Sequence, residues 1–128
     1  MKVLLDTHVF LWWITDDLRI SQKVSAIMTD GDNELFLSAA SVWEIVIKSR
    51  LGRLHLPENP DSYLTEQMAL NAVEPLSITM PHALRVYNLP DIHKDPFDRI
   101  MIAQALLEDM PILTRDDYIP KYGVQAIW

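Results

Sequence analysis

Residues 97–114, FDRIMIAQALLEDMPILT, decide how this chain is read. Residues 97–110 carry the clearest helical pattern in the sequence, and PILT directly behind them is the short apolar run of a buried strand. A helix passing straight into a buried strand is the repeating joint of an α/β domain, and the same alternation runs outward from it in both directions. Upstream, KVLL (residues 2–5) is a short strand ending at Asp6, and THVFLWWI after it reads as a buried helical turn or two. ISQKVSAIM spaces Ile20, Val24, Ile27 and Met28 as a helix that closes at the DGDN turn. ELFLS (residues 34–38) is a second strand, followed by a helix over residues 39–52 with Gly52 as its stop. A proline-bearing link leads to a helix expected over residues 61–71, a weak strand in VEPLSI interrupted by Pro75, and a helix in MPHALRVYNL with Pro81 near its start. Downstream, RDDYIPKYG is a loop or short turn and VQAIW the last strand.

Strands separated by helices predict an α/β fold, a three-layer α/β/α sandwich whose mainly parallel central sheet is covered on both faces. At 128 residues the simplest organisation is one domain over residues 1–128. With 49% of residues apolar and no low-complexity tract, the composition is that of a packed globular protein. The absence of cysteine removes disulfide frameworks and thiolate metal sites, and a reducing cytoplasm is the expected compartment. Asp6 interrupts the apolar N-terminal run and no small-residue cleavage site follows, so no signal peptide is expected, and no stretch approaches the length of a membrane span. A net charge of −7 argues against a protein that coats nucleic acid through a basic stripe; any nucleic-acid contact is expected to be local or metal-assisted.

In an open parallel sheet functional groups gather at the carboxyl ends of the strands. Asp6 ends the first strand, Glu44 lies in the early turns of the helix after the second, Asp98 in the first turn of the helix at 97–110, and Asp116 just beyond ILT. Carboxylates sharing one pocket repel, so one takes up a proton unless a cation neutralises them. Mg²⁺ or Mn²⁺, which favour carboxylate and water oxygens, suit such a set. Each acid also has a structural reading. Asp95 can cap the helix ahead of Pro96 with Asp98 favouring the dipole; Ser41 and Glu44 fit a capping box; Asp6 can cap the helix from Thr7; Asp116 can be a turn residue. Four independent caps need not converge, whereas a metal site requires convergence.

Other chemistry is poorly supported. His8, His55, His82 and His93 lack zinc-ligand spacing and read as surface or loop residues, His93 being notable for sharing a loop with Asp95 and Asp98. There is no G-x-S-x-G elbow, and three glycines exclude a phosphate-cradling loop. Trp12, Trp13 and Trp43 are expected in the core or an interface, and Lys48, Arg50 and Arg53 form a small basic run able to guide an RNA backbone.

Four stretches, LLDTHVFLWW, LSAASVWEIVIKSRLGRL, DPFDRIMIAQA and ILTRDDYIPKYGVQAIW, occur in an order that resembles PIN-domain proteins, specifically the VapC-type ribonuclease toxins of toxin–antitoxin pairs. The resemblance covers essentially the whole chain. It implies a PIN-like parallel sheet flanked by helices and a Mg²⁺- or Mn²⁺-dependent endoribonuclease. By position, Asp6, Glu44 and Asp98 match the family's first three acids. Asp116 matches the fourth, in preference to Asp117 because it is nearer the strand end, and Thr114 matches the hydroxyl residue beside it. It further implies an RNA substrate, a homodimer and a cognate VapB-type antitoxin whose C-terminal segment reaches the acids. Two alternatives stand beside it: a phospho-accepting receiver-like domain, for which DTH lacks a second acid, and a non-catalytic acidic interaction module in which the acids are caps.

Overall fold

Side-chain alternation along the first strand sets up the whole architecture. In the computed structural model, which describes residues 1–128, Val3 and Leu5 of β1 (Lys2–Leu5) pack into one apolar cluster and Leu4 into another on the opposite face. β2 (Glu34–Ser38) repeats the pattern, with Leu35 and Leu37 on the Val3 side and Phe36 on the Leu4 side. Such two-sided burial requires helices over both faces. β3 (Val73–Leu76), β4 (Ile112–Leu113) and β5 (Ala126–Ile127) complete a sheet of order β3-β2-β1-β4-β5 in which every pairing is parallel. The helices are α1 (Thr7–Ile14), α2 (Gln22–Thr29), α3 (Ala39–Arg50), α4 (Pro60–Leu70), α5 (Met80–Arg85) and α6 (Pro96–Glu108). Val9, Phe10, Val24, Met28, Ile45, Tyr63 and Leu64 bring α1 to α4 onto the first face. Met101, Ile102, Ala103 and Ala105 of α6, joined by Ile119 and Tyr122, cover the second. Each fully buried Leu or Ile contributes about 1.5–3 kcal/mol relative to exposure.

Several boundaries differ from expectation for local reasons. The second helix starts at Gln22 because the Ser21 hydroxyl accepts the Val24 N–H at 3.1 Å, leaving Ile20 ahead of it but still against the core. α3 ends at Arg50, and Gly52 stands beyond it in the left-handed region (φ 72°). There the Arg53 N–H reaches the Lys48 carbonyl at 2.9 Å, closing the helix. Pro75 is tolerated because β3 is an edge strand. The helix expected through Leu89 ends at Arg85 and continues as a 3-10 turn, Val86–Asn88.

The order of the strands places the chemistry. From β1 the chain moves outward through β2 and β3, then returns to the other side of β1 as β4 and β5. The carboxyl ends of β1 and β4 therefore flank the point where the connections diverge, which is where ligands bind in open parallel sheets. No helix is long and apolar enough to cross a membrane.

Candidate active site

Asp6 stands at the N-cap position of α1, yet its side chain makes no capping hydrogen bond. It is buried, and its Oδ2 accepts from the Thr114 hydroxyl at 2.7 Å across the β1–β4 junction. The same Thr114 oxygen accepts the Asp116 N–H at 3.0 Å, so one hydroxyl ties the two acids together. Asp116 Oδ1 in turn accepts the Tyr118 N–H at 2.9 Å, a turn bond that fixes its carboxylate. Asp6, His8, Val9, Trp12, Arg115 and Asp116 line a common cavity of about 330 Å³. Asp117 is exposed and outside that lining.

Asp98 comes to the site from α6. Asp95 is the N-cap, its Oδ1 accepting the N–H groups of Phe97 at 2.9 Å and Asp98 at 3.1 Å, and Pro96 takes the first helical position. The helix start thus makes no demand on the Asp98 carboxylate, whose Oδ2 lies 3.1 Å from His93 Nε2.

The electrostatics link these acids. Burial pushes the Asp98 carboxyl up to about 6, opposed by its hydrogen bond to His93 and reinforced by the charges of Asp6, Asp95 and Asp116. Burial also raises Asp6; the Thr114 hydrogen bond, the neighbouring His8 charge and the Thr7 backbone N–H oppose it, and Asp116 adds to it. Glu44 is not among the charges acting on Asp6 or Asp98. It is buried in the second turn of α3, and its Oε2 accepts from Lys48 Nζ at 2.7 Å.

The geometry revises two readings made from sequence. Ser38, whose hydroxyl accepts the Ala40 N–H at 3.0 Å, is the N-cap of α3, so Ser41 and Glu44 form no capping box. His82 is not a surface histidine: it is buried, its Nδ1 accepts the Thr79 N–H at 3.1 Å, and its Nε2 lies 2.9 Å from Glu108 Oε1. The tryptophans divide. Trp13 packs on the core and donates to Asn71 Oδ1 at 3.0 Å, Trp12 meets Trp128 edge-on, and Trp43 is exposed against the Phe97 ring. The contact of His93 with Tyr122 was not foreseen; only the shared loop hinted at His93, and no local pattern marks Tyr122.

No three carboxylate or imidazole side chains converge at coordination distance on one point. The expected convergence of four acids is met only by Asp6 and Asp116, which share a cavity wall, whereas Asp98 and Glu44 lie outside its lining; Mg²⁺, which keeps several waters, needs only one or two direct carboxylates. An all-oxygen donor set, with Asp6 and Asp98 raised chiefly by burial and both feeling the charge of Asp116, fits a hard divalent cation.

Residues 3–125 of this chain, which carry the acids and most of the five-stranded parallel sheet, match the PIN domain family model, and the chain belongs to that family. Within it the chain is of the VapC type. It is 31% identical over 115 residues to Ribonuclease VapC22 of Mycobacterium tuberculosis, covering 89% of this chain and 86% of that protein. It is 46% identical over 60 residues to Ribonuclease VapC16 of the same organism, where the match covers 47% of this chain and only 43% of the relative. The fold is similar to those of VapBC2 from Rickettsia felis bound to a promoter DNA fragment (TM-score 0.73, 12% identity, 99% and 98% of the two chains) and DNA-bound VapBC from Salmonella typhimurium (TM-score 0.74, 13% identity, 99% and 97%).

Proposed function

We propose that this chain is the toxin of a type II toxin–antitoxin pair and a Mg²⁺- or Mn²⁺-dependent endoribonuclease, acting as one domain with Asp6, Glu44, Asp98 and Asp116 as its acids. The carrying observation is that Asp6 and Asp116, tied together by the Thr114 hydroxyl, line one cavity at the sheet's switch point, with the charges of both acting on Asp98. Relatives named ribonuclease VapC supply the reaction class, and similarity to VapBC assemblies supports a VapB-type antitoxin as partner. When bound, the divalent cation would supply a nucleophilic water at neutral pH and offset charge developing on the phosphodiester.

The chain's residues prepare that site. Thr114 holds one oxygen of Asp6, and the turn bond from Tyr118 holds Asp116. Lys48 balances the buried charge of Glu44. Arg115 is exposed at the cavity that Asp6 and Asp116 line, where a cationic side chain suits an RNA phosphate. Beside that cavity, sharing His8 and Trp12 with it, lies a cleft of about 460 Å³ walled by Leu11, Ile45, Leu54 and Leu56. The cleft is also lined by Arg19, Lys48 and Arg53, and a partly apolar cleft beside acids supports docking of an amphipathic antitoxin helix followed by an arginine. A homodimer and a cytoplasmic setting belong to the same reading.

The non-catalytic alternative needs the acids as caps, and Asp6 and Glu44 cap nothing. The test is cleavage of a pool of cellular RNA by antitoxin-free protein with Mg²⁺, with Mn²⁺ and with EDTA, beside Asp98→Asn. Discrete fragments that need the cation and vanish in the variant are expected. Folded protein that neither cleaves RNA nor binds either cation overturns the proposal.

A further inference from the structure

His93 sits in a hydrogen-bond arrangement whose proton positions follow by counting. Its Nδ1 lies 2.6 Å from the Tyr122 hydroxyl and its Nε2 lies 3.1 Å from Asp98 Oδ2. The Tyr122 oxygen already receives two N–H donors, Arg99 Nη1 at 3.1 Å and the His93 backbone at 3.2 Å. A phenolic oxygen has room for no third donor, but it has one proton of its own to give. The other acceptor within reach of that proton, the His93 carbonyl, is farther away at 3.4 Å. The Tyr122 proton therefore goes to Nδ1, which makes Nδ1 the acceptor. The neutral ring then carries its proton on Nε2 and donates it to Asp98.

The ring is also fixed in place. Tyr118 stacks on it at 5.0 Å with the planes 7° apart, and Tyr122 meets it edge-on at 5.5 Å. Arg99 is anchored in its own right, donating to the Pro90 carbonyl at 2.8 Å. The His93 and Asp98 side chains are only 13% and 16% exposed, so water competes weakly for their bond.

We propose that His93 is a positioning residue, locked by Tyr122 and Arg99 in the Nε2–H tautomer, that engages Oδ2 of Asp98 and so fixes a carboxylate whose other oxygen would be left available to a divalent cation. This rests on the reading of Asp98 as a ligand of that cation. A partner that fixes a ligand's orientation typically alters metal affinity about 10- to 100-fold when removed.

The test combines Mn²⁺ titration of the full-length protein with ¹⁵N spectra of the imidazole at mildly alkaline pH. Wild type is expected to show His93 protonated at Nε2 alone, and Tyr122→Phe a mixture of tautomers. His93→Ala is expected to weaken Mn²⁺ binding about 10- to 100-fold, and His93→Gln, whose amide N–H takes the place of Nε2–H, to recover most of it. A merely structural role lowers the melting temperature without this pattern of loss and rescue. Wild-type protein protonated at Nδ1 overturns the inference without any substitution. Mn²⁺ binding that is lost in Asp98→Asn but undiminished in His93→Ala overturns it while leaving the nuclease reading intact. Wild type that binds no Mn²⁺ overturns both.

Discussion

Asp98 has an ionisation that couples stability to pH. Its folded carboxyl, pushed up to about 6 from an ordinary 3.8, binds more protons than the unfolded chain between those values. Stability from this group is therefore fully present below the ordinary value and is lost as pH rises through about 6; Asp6, also raised, acts in the same direction. Because Asp98 is partly solvated, the effect is on the order of 1–2 kcal/mol after screening. In EDTA at pH 7, Asp98→Asn is expected to melt higher than wild type, with the difference closing as pH falls toward 4; a variant that melts lower at pH 7 contradicts the burial argument. A second expectation concerns Thr114. Thr114→Val keeps the shape, removes the hydroxyl that joins Asp6 to Asp116, and is expected to reduce RNA cleavage at least 10-fold while the protein stays folded. Unchanged cleavage rates would remove Thr114 from the site. At this scale the sequence was informative about which acids matter and silent about what they touch. Asp6, Asp98 and Asp116 are legible because a strand end or helix start fixes where each must lie. Tyr122 reaches His93 through the fold, 29 positions away in the chain, and no short-range pattern encodes that contact.

The helices separate capping from chemistry. Asp95 caps α6 with two hydrogen bonds, and Asp98 contributes none. Asp95→Ala should thus cost about 1 kcal/mol, read as a lower denaturant midpoint, the reverse of the Asp98→Asn effect at neutral pH. Equal destabilisation by the two substitutions would show that both acids serve the helix. α3 carries the companion case at its other end. Gly52 adopts φ 72°, and an added Cβ there would meet no atom within 4 Å, so Gly52→Ala is expected to destabilise by about 1 kcal/mol through backbone strain alone, measured by the same denaturation. The elements themselves were largely readable: β1, α1 and β2 fall at the residues their patterns indicate. Boundaries were less so. Ser38 and Ser41 are equally good N-caps by composition, and what selects Ser38 is that β2 ends there, its hydroxyl also donating to the buried Gln104 Oε1 at 2.5 Å. β4 and β5 lie within the apolar runs PILT and VQAIW that mark them but are only two residues each, because Ile112 and Leu113 pair with Leu4 and Leu5 of β1, and Ala126 and Ile127 with Ile112 and Leu113.

Taken whole, the molecule places an acidic site in an acidic protein, so two sources of cation stabilisation must be told apart. A net charge of −7 is relieved by any salt, because diffuse screening weakens repulsion between all exposed carboxylates. The switch point adds a local contribution: Asp6 is buried and Asp98 largely so, Asp98 with the charges of Asp6 and Asp116 acting on it, where salt screens less than at the exposed surface. A cation bound there stabilises the folded state by mass action, by about 2.7 kcal/mol when its concentration is a hundred times its dissociation constant. Protons compete for the same oxygens, so that gain shrinks as pH falls below about 6, where Asp98 takes up its proton. The melting temperature of wild type at pH 7 is therefore expected to climb with Mg²⁺ or Mn²⁺ beyond what Na⁺ gives at matched ionic strength. The excess should be largely absent in Asp98→Asn and at pH 5. An equal rise with Na⁺, or one that Asp98→Asn retains in full, would assign the stabilisation to the net charge of the whole surface and leave the convergence of acids at β1 and β4 without a cation to explain it.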